Sequence, residues 1–323
     1  MTIKAALESV TGTRVLVVGD IILDIYIQGK VERISPEAPV PVVNHIRTAH
    51  ALGGAANVAA NLKGLGTEVK IIAVTGNDTE SEYLETMLDL ESISHHLVRL
   101  DSRPTTSKSR IVAGNHQMLR IDHESNEELS IHDTDQLWDL TRRSIESFQP
   151  QAIVLEDYNK GMLSTTFIQK ICSVANELNI PLIVDPKNHN FFAYAGCTIF
   201  KPNLKECSRQ VPFRLTPDLE SLNEADAYLR SRLQHKISMI TLAEHGVYIS
   251  DGHSSHLIPT EVRQVSDVSG AGDTVTAIAT IGILKSLSLE QIADLSNQAA
   301  GIVCSKPGVY AISLEELSLK YTG

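Results

Sequence analysis

Asp267–Thr274 reads DVSGAGDT and runs straight into the apolar stretch VTAIATIGIL. Gly270 and Gly272, with only Ala271 between them, permit a tight turn at a helix N-terminus. There, free backbone N–H groups and the helix dipole together attract an anion. A carboxylate inside such a turn repels the phosphate it sits beside. It makes sense if Asp273 takes a proton from an incoming hydroxyl while the turn holds charge building on a transferring phosphoryl group. The plainer reading is an Asp that caps a helix after a glycine turn, and an isolated GxGD does not separate the two.

Three further stretches carry possible chemistry. Leu52–Asn61, LGGAANVAAN, has small residues that let a helix start pack tightly or let a ligand approach the backbone, with Asn57 one turn in, able to bond a sugar hydroxyl. Lys201–Glu206, KPNLKE, follows an apolar run; Asn203 can cap the next helix with Glu206 at its third position, or the pair can face an ATP phosphate and its magnesium shell. Ile240–Gly246, ITLAEHG, runs into a turn where Glu244 and Gly246 either line a nucleotide pocket or turn a hairpin.

These stretches sit on an alternating scaffold. Arg14–Gly19, Val69–Val74, Gln151–Leu155, Pro181–Val184, Thr198–Phe200 and Ile237–Thr241 read as short buried strands, rich in β-branched residues. Gly54–Leu65, Asp78–Leu90, Asp133–Ser147, Thr165–Leu178, Asp218–Leu233 and Ala271–Leu287 carry helical spacing of apolar residues. Such alternation predicts an α/β fold with a mainly parallel, doubly wound sheet. Two segments break the pattern. Asp24–Ile46 holds three prolines and ends in VPVVNHI, and Thr105–Asp122 alternates polar and apolar residues around Gly114-Asn115. Together they predict a small, half-exposed antiparallel lid, so residues 1–323 are expected to form one domain with a lid at about 24–46 and 105–122.

Bulk composition narrows the function classes. The 323-residue chain has a formal charge of −11, which argues against nucleic acid or an anionic membrane as the main partner. No apolar run reaches membrane-spanning length, and the N-terminus lacks the apolar core of a signal peptide. The four cysteines are scattered, as expected of reduced thiols in a cytoplasmic protein, and the twelve histidines show no compact metal-ligand spacing.

With GGAANVAAN early, DVSGAGDT late, and PN-x-x-E and T-x-x-E-x-G between them, the chain resembles the ribokinase-type (PfkB) carbohydrate kinases from about Arg14 to Val309. The resemblance implies a ribokinase-like three-layer αβα sandwich with a β lid, ATP with Mg²⁺, and transfer of the γ-phosphoryl group to a sugar hydroxyl. GDIILDIYIQGKVERISPEAPVPVV, LEDYNKGML and VDPKN are similar to a narrower branch, the heptose 7-phosphate kinases. These phosphorylate the anomeric oxygen of D-glycero-D-manno-heptose 7-phosphate on the way to ADP-heptose and lipopolysaccharide. Carried over, Asp24, Asn57 and Asp157 bind the sugar, and Gly53 and Gly54 approach its ring. Asn203, Glu206, Thr241, Glu244 and Gly246 lie on the nucleotide side, with Glu206 in indirect contact with the metal. Asn297 and Lys306-Pro307-Gly308 lie near the adenine. Ala243 stands where the family often has glycine, and no threonine follows KPG. The nucleotidyltransferase domain fused to many heptose kinases is not in this sequence, so a separate protein is expected to supply that step.

A sugar phosphate needs fixed cations. Lys108, Arg110 and Arg120, with Gln117, fall on the lid hairpin, and Lys160 and Lys187 follow strands, where α/β ligand sites lie. Each alone reads first as a solvated surface charge, and it is their shared placement on lid and sheet edge that points to a phosphate. The hairpin's apolar side (Ile111, Ala113, Met118, Ile121) lacks an obvious cover, which predicts a homodimer through the lid. A kinase of an unphosphorylated sugar, and a non-catalytic sugar sensor on the same fold, are the competing readings.

Overall fold

The computed structural model describes residues 1–114, 116–261 and 265–321. Asn115 of the expected hairpin turn lies outside the described residues, while Gly114 beside it has φ +59°.

Buried runs of β-branched residues form the main sheet. Its strands are β1 (Arg14–Gly19), β4 (Glu68–Gly76), β5 (Ser94–Leu100), β8 (Ala152–Glu156), β9 (Leu182–Asp185), β10 (Ile199–Phe200), β11 (Ile237–Thr241), β12 (Val247–Ser250) and β13 (Ser255–Ile258). The nine-stranded order is β13-β12-β11-β10-β9-β8-β1-β4-β5. Pairing from β11 across to β5 is parallel, and β12 and β13 add an antiparallel edge. Side chains alternate across β1: Val15 and Val17 enter one core, Leu16 and Val18 the other. Two cores on opposite faces make this a three-layer αβα sandwich, as the alternation implied.

One core is covered by α1 (Ile3–Glu8), α2 (Ala55–Gly64), α3 (Thr79–Leu90), α8 (Ala271–Leu284), α9 (Leu289–Cys304) and α10 (Leu314–Ser318). The other is covered by α4 (Ile131–Phe148), α5 (Thr165–Glu177) and α7 (Leu219–Leu233), with the short α6 (Leu204–Ser208) at its rim. Side-chain caps start most of these helices: Asp78, Ser130, Ser164, Asp218 and Ser288 each accept the amide three residues on, a contact typically worth about 1 kcal/mol. Every residue of α8 from Asp273 to Gly282 is buried, which fits a helix apolar all round, packed between the sheet and α9.

The second, smaller sheet contains the two segments expected to form a lid and extends beyond 24–46 at both ends, with strands β2 (Ile21–Ile34), β3 (Pro41–Gly54), β6 (Ser107–Ala113) and β7 (His116–His123) in the order β3-β2-β6-β7. Each hairpin is antiparallel, and the two join through a parallel β2–β6 pair. The pairs Asp24–Lys108, Lys108–Asp122 and Arg110–Arg120 put these charged residues on one face, and Ile27–Ile111, Ile111–Leu119 and Ser109–Ile121 define the other. The apolar face therefore differs from its expected membership. Met118 falls at the register shift between Ile111 and Val112, and Leu119 takes its place.

Candidate active site

The sheet reverses its winding between β1 and β8, and the functional side chains gather at the carboxyl ends of these strands and their neighbours, the usual ligand position of such folds. Asp20 follows β1, Glu156 ends β8, Asp185 ends β9, and Lys201 follows β10. Opposite them, the N-termini of α2 and α8 meet. Gly270 caps α8 with φ +80°, a conformation that favours glycine.

Asp273 is 2% exposed, and each of its oxygens has a donor. Asn57 Nδ2 donates to Oδ2 at 2.7 Å and the Tyr158 hydroxyl to Oδ1 at 2.8 Å. Burial raises its pKa to about 6, with Asp185 adding to the rise while Asn57, Tyr158 and Lys201 oppose it. Such a carboxylate is ionised at neutral pH yet poised to take a proton. Beside Gly272, a Cβ would be 3.9 Å from both Asp185 Oδ2 and Lys201 Nζ, so the turn faces a polar space rather than packed side chains.

A buried ionic network supports this space. Lys201, 2% exposed, donates to Asp185 at 2.8 Å. Lys187 reaches Glu206 at 2.9 Å and Asp185 at 3.7 Å, and lies over the Tyr158 ring. Burial works against the Lys187 charge, but Asp185, Glu206 and Glu156 outweigh it and hold the ammonium protonated. Burial also acts on Asp185, where the two lysines prevail and lower its pKa. Glu156 is fully buried, and burial with Asp185 and Asp273 nearby pushes its pKa well above the usual carboxylate range. Asp20 is raised to about 6 by burial and Asp157, while accepting the amides of Tyr158 and Lys160 at 2.8 and 3.0 Å, which pins that loop to β1.

The expected sugar side assembles around the lid root. Asp24 pairs with Arg110, and a Cβ on Gly53 would lie 2.3 Å from Asp24 Oδ2. Gly53 thus makes room for the Asp24 carboxylate itself. Gly54 has φ +58° and backs onto the Asp20 carbonyl. Asp157 accepts from the Tyr194 hydroxyl at 2.7 Å and the Asn159 amide, which ties it into its own loop. The expected phosphate cations are each matched by a carboxylate: Lys108 by Asp122 and Glu124, Lys160 by Glu124, Arg120 by Asp122, and Lys187 by Glu206. Gln117 lies on exposed β7 beyond the register shift.

On the expected nucleotide side, Asn203 and Glu206 form a full capping box on α6, and the other Glu206 oxygen holds Lys187. Thr241 bridges to Asn203, and Gly246, at φ +94°, turns β11 into β12. Glu244 lies on the exposed turn between them. Asn297 donates to the Ile258 carbonyl, which a Cβ on Gly246 would meet at 2.0 Å, so these residues share one end of the sheet. The Lys306-Pro307-Gly308 segment goes elsewhere, with Gly308 against the Tyr26 ring and Val309 N donating to Tyr26 Oη at 3.1 Å. Tyr158, Glu156, Asp185, Lys201 and Asp20 were not singled out from sequence. The four charged ones share a signal, a charged residue directly at the end of a buried strand run; Tyr158, two residues beyond β8, had none.

Residues 12–317 match the family described as pfkB family carbohydrate kinase. The bifunctional protein HldE of Methylobacillus flagellatus is 41% identical over 305 residues, covering 94% of this chain and 62% of that protein. HldE of Hyphomonas neptunium is 39% identical over 320 residues, covering 98% and 65%. The chain therefore spans a little under two thirds of the length of these curated relatives. Phosphofructokinase-2 from Escherichia coli in complex with potassium has a TM-score of 0.78 at 18% identity, over 96% of this chain and 98% of that one. Arabidopsis thaliana ribokinase complexed with ribose and ATP has a TM-score of 0.72 at 18% identity, over 95% and 99%. At that identity the two structures bear on the fold alone.

Proposed function

The chain belongs to the pfkB family of carbohydrate kinases, and from that premise we propose that it transfers the ATP γ-phosphoryl group to the anomeric hydroxyl of D-glycero-D-manno-heptose 7-phosphate. The fold is ribokinase-like. The observation that carries the reading is a buried carboxylate, Asp273, held by two donors inside the N-terminal turn of α8. In this reading Asp273 takes the acceptor proton, the α8 amide groups face the transferring phosphoryl group, and Asp24 orients the sugar, while Asn57, with both amide atoms bonded inside the protein, holds the base instead of the sugar. The heptose acceptor is supported by the GDIILD, LEDYNKGML and VDPKN stretches and by relatives named HldE at 36–41% identity. The 1,7-bisphosphate product feeds a nucleotidyltransferase on the way to ADP-heptose. A cytoplasmic setting is part of this reading, supported by the need for ATP and by four cysteines that are all free thiols.

Magnesium, when bound with ATP, neutralises phosphate charge. Glu206 would meet it only through its retained water, because one Glu206 oxygen takes the Asn203 amide and the other Lys187. Glu156, Asp185 and Asp273 also offer oxygens within 4.8 Å of one another. Lys201 and Lys187 already balance that charge, and we assign no metal there.

One observation favours an unphosphorylated sugar instead: Lys108, Arg110, Arg120, Lys160 and Lys187 are all ion-paired within the protein. A phosphate must displace those carboxylates to be bound. A coupled ADP-release assay across sugars and sugar phosphates decides. Selective turnover of a heptose 7-phosphate supports the proposal, and selective turnover of a free sugar overturns it.

A further inference from the structure

The two donors to Asp273 differ in kind, and a backbone amide fixes the difference. The Ile312 N–H can only donate, and it does so to Asn61 Oδ1 at 3.0 Å. The Thr274 hydroxyl donates to the same oxygen at 3.0 Å. Asn61 must then turn Nδ2 towards Asn57, where it donates to the backbone carbonyl at 2.8 Å and to Oδ1 at 3.1 Å. With its own carbonyl oxygen engaged, Asn57 presents Nδ2 to Asp273. An amide NH₂ has no acceptor capacity, so Asp273 Oδ2 meets a group that only donates. The hydroxyl on Oδ1 both donates and accepts.

Tyr158 is also held in place from several sides. Its backbone amide donates to Asp20, and Lys187 lies 4.9 Å from its ring centroid. Glu156 ends β8 two residues earlier, and one of its carboxyl oxygens lies within 4.8 Å of the Asp273 carboxylate.

We propose that Tyr158 is the positioning residue of the base: the acceptor's proton lands on Asp273 Oδ1, and the Tyr158 hydroxyl turns from donor to acceptor as it arrives. The acceptor O–H bond breaks and its electron pair forms the new O–P bond. The proton bonds to Oδ1, and the bond to the leaving ADP breaks with its pair staying on ADP. The Tyr158 hydroxyl rotates its own proton away from Oδ1, so that its oxygen accepts the new Asp273 O–H. Meanwhile Oδ2 keeps its Asn57 bond in both protonation states. This rests on Asp273 being the base.

The groups facing Asp273 are Asn57 from α2, Glu156 and Tyr158 at and just after the end of β8, Asp185 from β9 and Lys201 after β10, with Lys187 one step further out, against the Tyr158 ring and Asp185. Of these, Tyr158 lowers the Asp273 pKa through its hydrogen bond. Removing its hydroxyl therefore moves the acid limb of the rate profile to higher pH.

The test is the pH dependence of kcat and kcat/KM for wild type, Tyr158→Phe and Asp273→Asn. Tyr158→Phe is expected to keep the KM for ATP, lose roughly ten- to hundredfold in kcat, the scale of one hydrogen bond to a charged group, and shift the acid limb upward. Tyr158→3-fluorotyrosine, with a more acidic hydroxyl and the same shape, shifts the limb downward and serves if the Phe variant fails to fold. An acid limb that stays at its wild-type position in the folded variants overturns the proposal while leaving Asp273 as base, provided Asp273→Asn is inactive. Near-normal turnover in Asp273→Asn removes the base assignment, and the role of Tyr158 with it.

Discussion

Asn57 Nδ2 lies 2.7 Å from Asp273 Oδ2, joining positions 216 residues apart in the chain. Gly270 backs directly onto this bond: a Cβ there would come 2.5 Å from Asn57 Nδ2. The starts of α2 and α8 approach this closely because small residues line both.

Gly270→Ala therefore meets two costs, a strained φ of +80° and displacement of the Asn57 amide. The expected outcome is a folded protein, destabilised by about 1–3 kcal/mol, with kcat/KM down by at least roughly tenfold. Unchanged kinetics in the folded variant would show that the amide can leave Asp273 without consequence.

Much of the scaffold was legible because buried parallel strands have a strong pattern. Arg14–Gly19 and Ile237–Thr241 match β1 and β11 residue for residue. β5 was missed because SHHLVRL is half-exposed at a sheet edge, and its paired histidines interrupt the apolar run. α9 and the β12–β13 hairpin were also missed; only four residues separate the end of α8 from the start of α9, and Ser286, at φ +51°, breaks the run between them. In the site, Asp273 and Asn57 were readable from their local strings. Tyr158, Glu156, Asp185 and Lys201 were not, because their partners come from different strands and meet only when β8, β9 and β10 lie side by side.

Asp273 sets activity against stability. Its pKa rises from 3.8 to about 6, with burial the largest cause. A carboxylate raised in the folded state contributes its full stability below the unfolded value and loses it as pH climbs through about 6. Asp273→Asn removes this titration, and its amide can turn its oxygen to Asn57 and its nitrogen to Tyr158. The variant is expected to be more stable than wild type at pH 8, by up to about 3 kcal/mol, with the gap closing towards pH 4. Thermal unfolding at several pH values checks this, and a gap independent of pH contradicts it.

Lys160 and Lys108 share Glu124, at 2.8 and 3.1 Å to its two oxygens. If substrate phosphate takes over that role, Lys160→Ala loses about one to two decades of kcat/KM on a phosphorylated sugar, and little on the unphosphorylated one. Equal losses on both would mean that Lys160 holds the lid rather than reads the phosphate.

Leu119 and Ile121 are 54% and 52% exposed on the apolar face of the lid. Pairing of two lids would cover them, and a dimer is expected by light scattering at micromolar concentration. A strictly monomeric particle contradicts it.

The most direct measurement is the turnover of Asp273→Asn with saturating ATP and sugar, alongside ATP binding measured calorimetrically. If Asp273 is the base, the variant binds ATP as wild type does and loses about two to four decades of kcat, the usual scale for a missing general base. Near-normal kcat with normal ATP binding would contradict that assignment.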